Sequence, residues 1–136
     1  MMTLSQAETA IYTKIGQFTG VEKANLRIEN QPTQNGLPFV PPADKPWCKV
    51  FVQYADSQVA SIGDGPCIRD QGIISIQCFA PKNKGTLAMT TLCDSWRSFL
   101  QSFGVSHLEI YKVHAPQSMD DQDFYAKIIR AEFRVN

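Results

Sequence analysis

Three features of the sequence predict an α+β fold: a mainly antiparallel β-sheet with two helices packed on one face, plus a long Pro-rich arm. Apolar residues recur at intervals of three and four near the N-terminus and again over residues 86–102, which is the period of a helix. Several other runs alternate apolar and polar residues, the period of a strand with one buried face. Short turn-rich links separate most of these runs, so neighbouring strands are antiparallel, and the helices need an apolar sheet face to cover. At 136 residues the chain is the length of one domain, and residues 1–136 are read as one.

Leu4, Ala7, Ile11, Ile15 and Phe18 share a face of a helix expected over residues 4–18. Thr3-x-x-Gln6 and Ser5-x-x-Glu8 each fit a capping box, which places the start between Thr3 and Ser5. Gly16 weakens the last turn and Gly20 offers a stop. Residues 24–29 read as a short strand, with Leu26 and Ile28 on one side and Arg27 and Glu29 on the other. Residues 30–46 then carry five prolines, Pro32, Pro38, Pro41, Pro42 and Pro46, with a turn at Asn35-Gly36. Each proline removes a backbone donor and biases its predecessor towards extended geometry, so the stretch is an arm rather than a helix or central strand. Leu37, Phe39 and Val40 are apolar enough to pin this arm, either on its own domain or on a neighbouring subunit.

Residues 47–55 form the clearest strand. Cys48, Val50, Val52 and Tyr54 alternate with Trp47, Lys49, Phe51 and Gln53. A shorter strand over 58–62 ends at the turn Gly63-Asp64-Gly65-Pro66. Residues 67–79 run extended, and Gly72 inside them implies a bulge or a close backbone approach. After a basic turn at 81–85, Ala88, Leu92, Trp96, Phe99, Leu100 and Phe103 form the stripe of a second helix over 86–102, ended by Gly104. A strand over 108–114 and a polar loop over 115–122 follow. In the last strand, 123–135, apolar residues switch from even positions (Phe124, Ala126, Ile128) to odd ones (Ile129, Ala131, Phe133, Val135). A one-residue slip exchanges the faces, so a bulge is expected near Ile128 and Ile129.

Composition narrows the function. Thirteen Lys and Arg balance thirteen Asp and Glu, a formal net charge of zero. That argues against a dedicated nucleic-acid binder and leaves little self-repulsion to oppose self-association. No run reaches the roughly 18 apolar residues of a membrane helix. The N-terminal helix, interrupted by Gln6 and Glu8, lacks the basic start of a signal peptide. Cys48, Cys67, Cys78 and Cys93 contain no C-x-x-C pair, so free thiols packed in a reducing cytoplasm are expected rather than a zinc site.

Catalytic constellations are not found. His107 and His114 fall on opposite faces of one expected strand, and no G-x-S-x-G, H-E-x-x-H or phosphate-binding loop occurs. Asp120, Asp121 and Asp123 lack the glycine of a calcium loop: Ala126 stands at the sixth position counted from Asp121. No enzyme, metal or cofactor is expected. Lys82 and Lys84, and the alternating Lys127, Arg130 and Arg134, read as a solvated face, as intersubunit salt bridges or as a weak nonspecific lining beside DNA. Arg69, beside Asp70, is the best candidate for an intersubunit ion pair.

Several features coincide: the amphipathic N-terminal helix, the Pro-rich arm, and Pro46-Trp47-x-x-Val50-x-Val52 at a strand start. They continue with Arg69-x-x-Gly72-Ile73-Ile74-x-Ile76-Gln77-x-Phe79-x-Pro81, Gly85 before a helix that ends near Phe99 and Phe103, and Phe124-Tyr125 and Phe133 in the last strand. From Leu4 to Val135 this resembles the small tail-terminator or tail-completion proteins of long-tailed bacteriophages and the phage-related domains of unknown function grouped with them. The resemblance implies an α+β subunit that assembles with itself into a ring, a hexamer. It also implies a virion protein assembled in the bacterial host cytoplasm, placed at the head-proximal end of the tail tube. There it would stop polymerisation of the tail-tube protein and offer a surface to the head–tail connector protein. DNA contact in the lumen would be nonspecific, and no membrane, catalysis or cofactor enters. The alternatives are a head-completion or tube-related structural protein, or a small cytosolic binding module. Leu37, Phe39, Val40, Trp47, Phe51 and Arg69 are the interface candidates.

Overall fold

The computed structural model describes residues 2–30, 39–55, 58–59, 68–105 and 107–136, with 58, 59, 68 and 69 described by backbone alone. Helix α1 (Leu4–Ile15) starts at the first of the two capping boxes. The Thr3 hydroxyl accepts from the Gln6 N–H at 3.1 Å, and the Gln6 side chain accepts from the Thr3 N–H at 2.9 Å. The helix stops at Ile15 rather than at residue 18, because Gly16 already caps it. Phe18 still reaches the core after the chain turns.

A 3-10 turn at Lys23–Asn25 leads into β1 (Leu26–Ile28), which pairs in parallel with β2 (Trp47–Tyr54). This pairing accounts for the arm. Parallel neighbours cannot be joined by a tight turn, so the chain must cross back to the end of the sheet where it began. Among the described residues of this connection, 29–30 and 39–46, there is no helix, in keeping with Pro41, Pro42 and Pro46.

The remaining elements are β3 (Gln58–Val59), β4 (Ile68–Ala80), α2 (Leu87–Gln101), β5 (Gly104–Val105), β6 (Leu108–Val113), β7 (Gln117–Met119) and β8 (Tyr125–Val135). The sheet order is β1-β2-β4-β8-β6-β5, with β3 added to β4 and β7 to β8; all pairs except β1 with β2 are antiparallel. β6 and β7 lie end to end along one side of β8. Gly104 opens β5 instead of ending α2, which closes at Ser102. The loop expected at 115–122 contains β7.

Both helices cover the same face of the sheet. Ala7, Ile11 and Ile15 of α1 and Met89, Leu92, Cys93, Trp96 and Leu100 of α2 pack with Val50, Ile74, Ile76, Ile129, Ala131 and Phe133. Ala88 of the expected stripe is exposed; Met89 and Cys93, on the neighbouring arc, are buried instead. Trp96 is fully buried and stacks on Phe18, ring centroids 3.6 Å apart. Its indole N–H donates to Cys48 Sγ at 3.3 Å. Cys48 sits opposite Cys78 across β2 and β4, sulfurs 3.8 Å apart, and both are free thiols, as is Cys93. The contact with Cys48, together with burial, raises the Cys78 pKa and keeps the thiol protonated. Cys67 lies outside the described residues.

The bulge expected at Ile128 and Ile129 is absent: β8 pairs with β4 without interruption from Tyr125 to Val135. The phase change has another cause. Ile128 and Ile129 are both buried, at 6% and 0% exposure, because Ile128 points to the face without helices and packs there. The register shift lies in β6, between Ile110 and Lys112. Gly72 is a close approach and not a bulge, with its pairing intact on both sides.

Candidate interaction surface

Alternation along the strands sends a second set of side chains to the face that no helix covers. Transverse rows follow from the register. Lys49, Gln77, Ile128 and Gln117 form one row; Phe51, Ser75 and Arg130 the next; Gln53, Ile73, Glu132 and Lys112 a third. Ser75 and Ile128 are buried in the middle of this face, Phe51, Ile73 and Gln77 are half-buried, and Lys49 and Arg130 are exposed.

An aromatic cluster closes one end. Trp47 stacks on Phe79 with centroids 4.1 Å apart, and Phe124 meets both rings edge-on. Phe39 of the arm packs on Trp47 at 5.4 Å, and the Arg27 guanidinium lies 4.6 Å from the centre of the Phe39 ring. The described part of the arm is thus fastened to its own sheet by an aromatic and a cation–π contact. Among the described residues the Trp47 indole nitrogen, buried there, has no hydrogen-bond partner.

The opposite end is a charged ladder. Arg134 Nε donates to Glu109 at 2.9 Å, His114 Nε2 lies 2.7 Å from Glu132, and Tyr111 Oη donates to Glu132 at 3.4 Å. The Glu109 hydrogen bond holds the Arg134 pKa above its ordinary value. Desolvation, then the Glu132 carboxylate, raises that of Tyr111. Between the two ends stand Lys49 and Arg130; among the described residues neither has an ion pair.

A second surface lies at the far edge of the sheet. Ala10 and Thr13 of α1, with Met2 before it and Gln17 after it, face Val105 and His107 across an open groove of about 760 Å³. Val105 there is 44% exposed. On the other flank α1 is tied to β2, where Tyr54 Oη donates to Glu8 at 2.6 Å. Burial, reinforced by this bond, raises the Tyr54 pKa, so the phenol stays neutral and donating.

The sequence-derived interface residues separate into groups. Phe39 and Trp47 meet in the aromatic cluster, where Trp47 is 9% exposed. Phe51 is on the same open face, and Val40, next along the arm, is 79% exposed. Arg69 lies in β4 with its backbone opposite Gln58, and Leu37 lies outside the described residues. Lys49 and Arg130 were not singled out as a pair. The alternation that put Lys49 beside Trp47 and Phe51 was the available signal, but Arg130 reaches the same face only through the β4 register. Among the described residues no group of three His, Cys, Asp or Glu side chains is placed to hold a metal ion.

No protein-family model matches the chain, and no functionally curated protein matches it. Eight solved chains match in fold. One of them, which carries a sequence identifier in place of a functional name, aligns over all of this chain and 97% of its own length, with a TM-score of 0.71 and 12% identity. At that identity the likeness is one of fold alone.

Proposed function

We propose that this chain is a structural virion protein, a tail terminator. Its copies close into a hexameric ring on the head-proximal end of the phage tail tube, end tube polymerisation and present a surface to the head–tail connector. The observation that carries the reading is a pair of unlike surfaces at opposite edges of one sheet. The exposed Val40 and the arm stand beside β1 and β2; the open groove of Met2, Ala10 and Val105 stands beside β5. A ring needs this arrangement, because each subunit must offer one surface to the neighbour ahead and a different one to the neighbour behind. Sheet extension is a poor alternative route. β1 has three residues, and the far edge is interrupted by the register shift after Ile110, by Lys112 and by Pro116. Copies therefore join through side chains. The chemistry is assembly, with no reacting group, and passing DNA would meet the lumen without sequence preference.

The direct test is to add purified protein to polymerising tail tubes and measure their length by electron microscopy. Tubes should shorten in proportion to the protein added; an unchanged length distribution would reject the terminator role.

The arm supplies a second test. Val40→Ser should weaken ring formation and leave the monomer's melting temperature within about 1–2 °C, since an exposed substitution costs at most about 0.5 kcal/mol. Phe39→Ser should instead lower the melting temperature, because it opens the Trp47 cluster. Equal melting shifts for the two would mean that the arm does not divide its residues in this way.

A further inference from the structure

We infer that the groove between α1 and β5 is the seat of another copy's arm, with Val40-Pro41-Pro42 of one subunit laid between Ala10 and Val105 of the next. The inference rests on the ring reading and names the contact that repeats around the ring. The chain's own arm cannot fill the groove. Phe39 is pinned on Trp47 of β2, and Val40 follows it directly. Val105 belongs to β5, four strand spacings from β2, which is about 19 Å along the sheet. It also lies at the opposite end of the strands. Val105 pairs with Leu108, and Leu108 with Val135 of β8; Trp47 pairs with Phe79, and Phe79 with Ala126, nine residues before Val135 and about 30 Å away along β8. One residue beyond Phe39 adds less than about 4 Å of reach. An arm in this groove therefore belongs to a second copy, and Val40, 79% exposed, is free to supply it.

Three matches favour this occupant. The first is apolar: Val40 and the two proline rings meet Met2, Ala10 and Val105, in a groove whose size suits a ligand of a few residues. The second is hydrogen bonding. Pro41 and Pro42 have no N–H and hold their predecessors extended, so the segment arrives with preset geometry and mostly acceptors. The groove offers donors, since the exposed Thr13 hydroxyl and Gln17 amide have no hydrogen-bond partner among the described residues. The third is charge. Among the described residues no carboxylate lines the groove, and Lys14, over the Phe99 ring at 5.2 Å, has no ion pair. On the arm, Lys45 is held by Glu22 at 2.9 Å, which leaves the exposed Asp44 without an ion pair among the described residues. Asp44 is the acid that Lys14 lacks. Docking arm against arm would instead set Asp44 against Asp44 and leave the groove empty.

The experiment is thiol crosslinking with tail tubes present, in a Cys67→Ser background where Cys48, Cys78 and Cys93 are buried. Chains carrying both Val40→Cys and Val105→Cys, treated with a short bismaleimide, should give a ladder that ends at the hexamer. A mixture of the two single variants should give dimers only, and neither single variant should crosslink to itself. Sedimentation velocity reads the charge match. Asp44→Lys and Lys14→Asp should each weaken association by about 10-fold, and the two together should recover most of the loss. Asp44→Lys should leave the melting curve unchanged, so it carries this part even if Lys14→Asp, which also gives up the Phe99 contact, melts early. Crosslinking of Val40→Cys to itself would set arm against arm and overturn the inference. So would rings that form and shorten tubes with no crosslink between positions 40 and 105, or with Asp44→Lys associating like the wild type; in both cases the ring reading stands. A wild type that neither associates nor shortens tubes removes both.

Discussion

Trp96→Ala should lower the free energy of unfolding by about 3–5 kcal/mol, the largest loss expected from any single core truncation in this chain. Three effects act together. The indole is fully buried between the helices and the sheet, so its removal leaves a void lined by atoms that cannot collapse onto one another. It also removes the stack with Phe18 at 3.6 Å, which fastens the segment after α1 to α2, and the edge contact with Phe99 within α2 at 5.8 Å. Finally, the indole N–H bond to Cys48 at 3.3 Å disappears, although the sulfur is a weak acceptor and this part is small. Trp96→Phe separates the contributions: it keeps an aromatic partner for Phe18 but loses the N–H and part of the volume, and should cost about half as much. Guanidinium denaturation with an unchanged slope measures both. Because domains of this size are stable by only about 5–15 kcal/mol, Trp96→Ala should also leave a visibly populated unfolded fraction on warming. A loss below about 1 kcal/mol would mean that α2 is not anchored through this side chain.

The same residue shows what the sequence made legible. Trp96 falls in the helical stripe with Leu92 and Leu100, so its burial was readable from spacing alone. The α+β class, both helices, and the inward faces of β2 and β4 were readable for the same reason: one buried side imposes one period. Failures occurred where two sides are buried. Ile128 and Ile129 broke the period and suggested a bulge, whereas Ile129 belongs to the helix-covered core and Ile128, two residues beyond Ala126 of the Trp47 cluster, is buried on the opposite face. The arm's length was legible but not its cause, since parallel pairing of Leu26 with Cys48 is a long-range choice that no local pattern records. The open face was half legible. Strand alternation put Lys49 and Phe51 together, while the register that brings Ser75 and Arg130 beside Phe51 exists only after pairing.

Gly72→Ala carries the second large effect, and it tests the register directly. An added methyl would stand 2.5 Å from Phe133 Cζ and 2.6 Å from the Gln53 carbonyl oxygen. Gly72 lies opposite Tyr54 on one side and Phe133 on the other, and the Phe133 ring, fully buried, folds across the space that the missing side chain leaves. A ring edge can tilt away, but the Gln53 carbonyl belongs to the neighbouring strand and moves only if β2 and β4 separate. The expected cost is therefore about 3 kcal/mol, the upper part of the range for overpacked cores. Phe133→Leu should relieve the ring contact and leave the carbonyl contact in place. A double-mutant cycle should then show favourable coupling of about 1–2 kcal/mol between the two sites, while the double variant stays less stable than Phe133→Leu alone. Full recovery would mean that the ring alone requires glycine. A free energy of unfolding that does not change in Gly72→Ala would mean that β2 and β4 do not pair at this point, and the rows that define the open face would lose their basis.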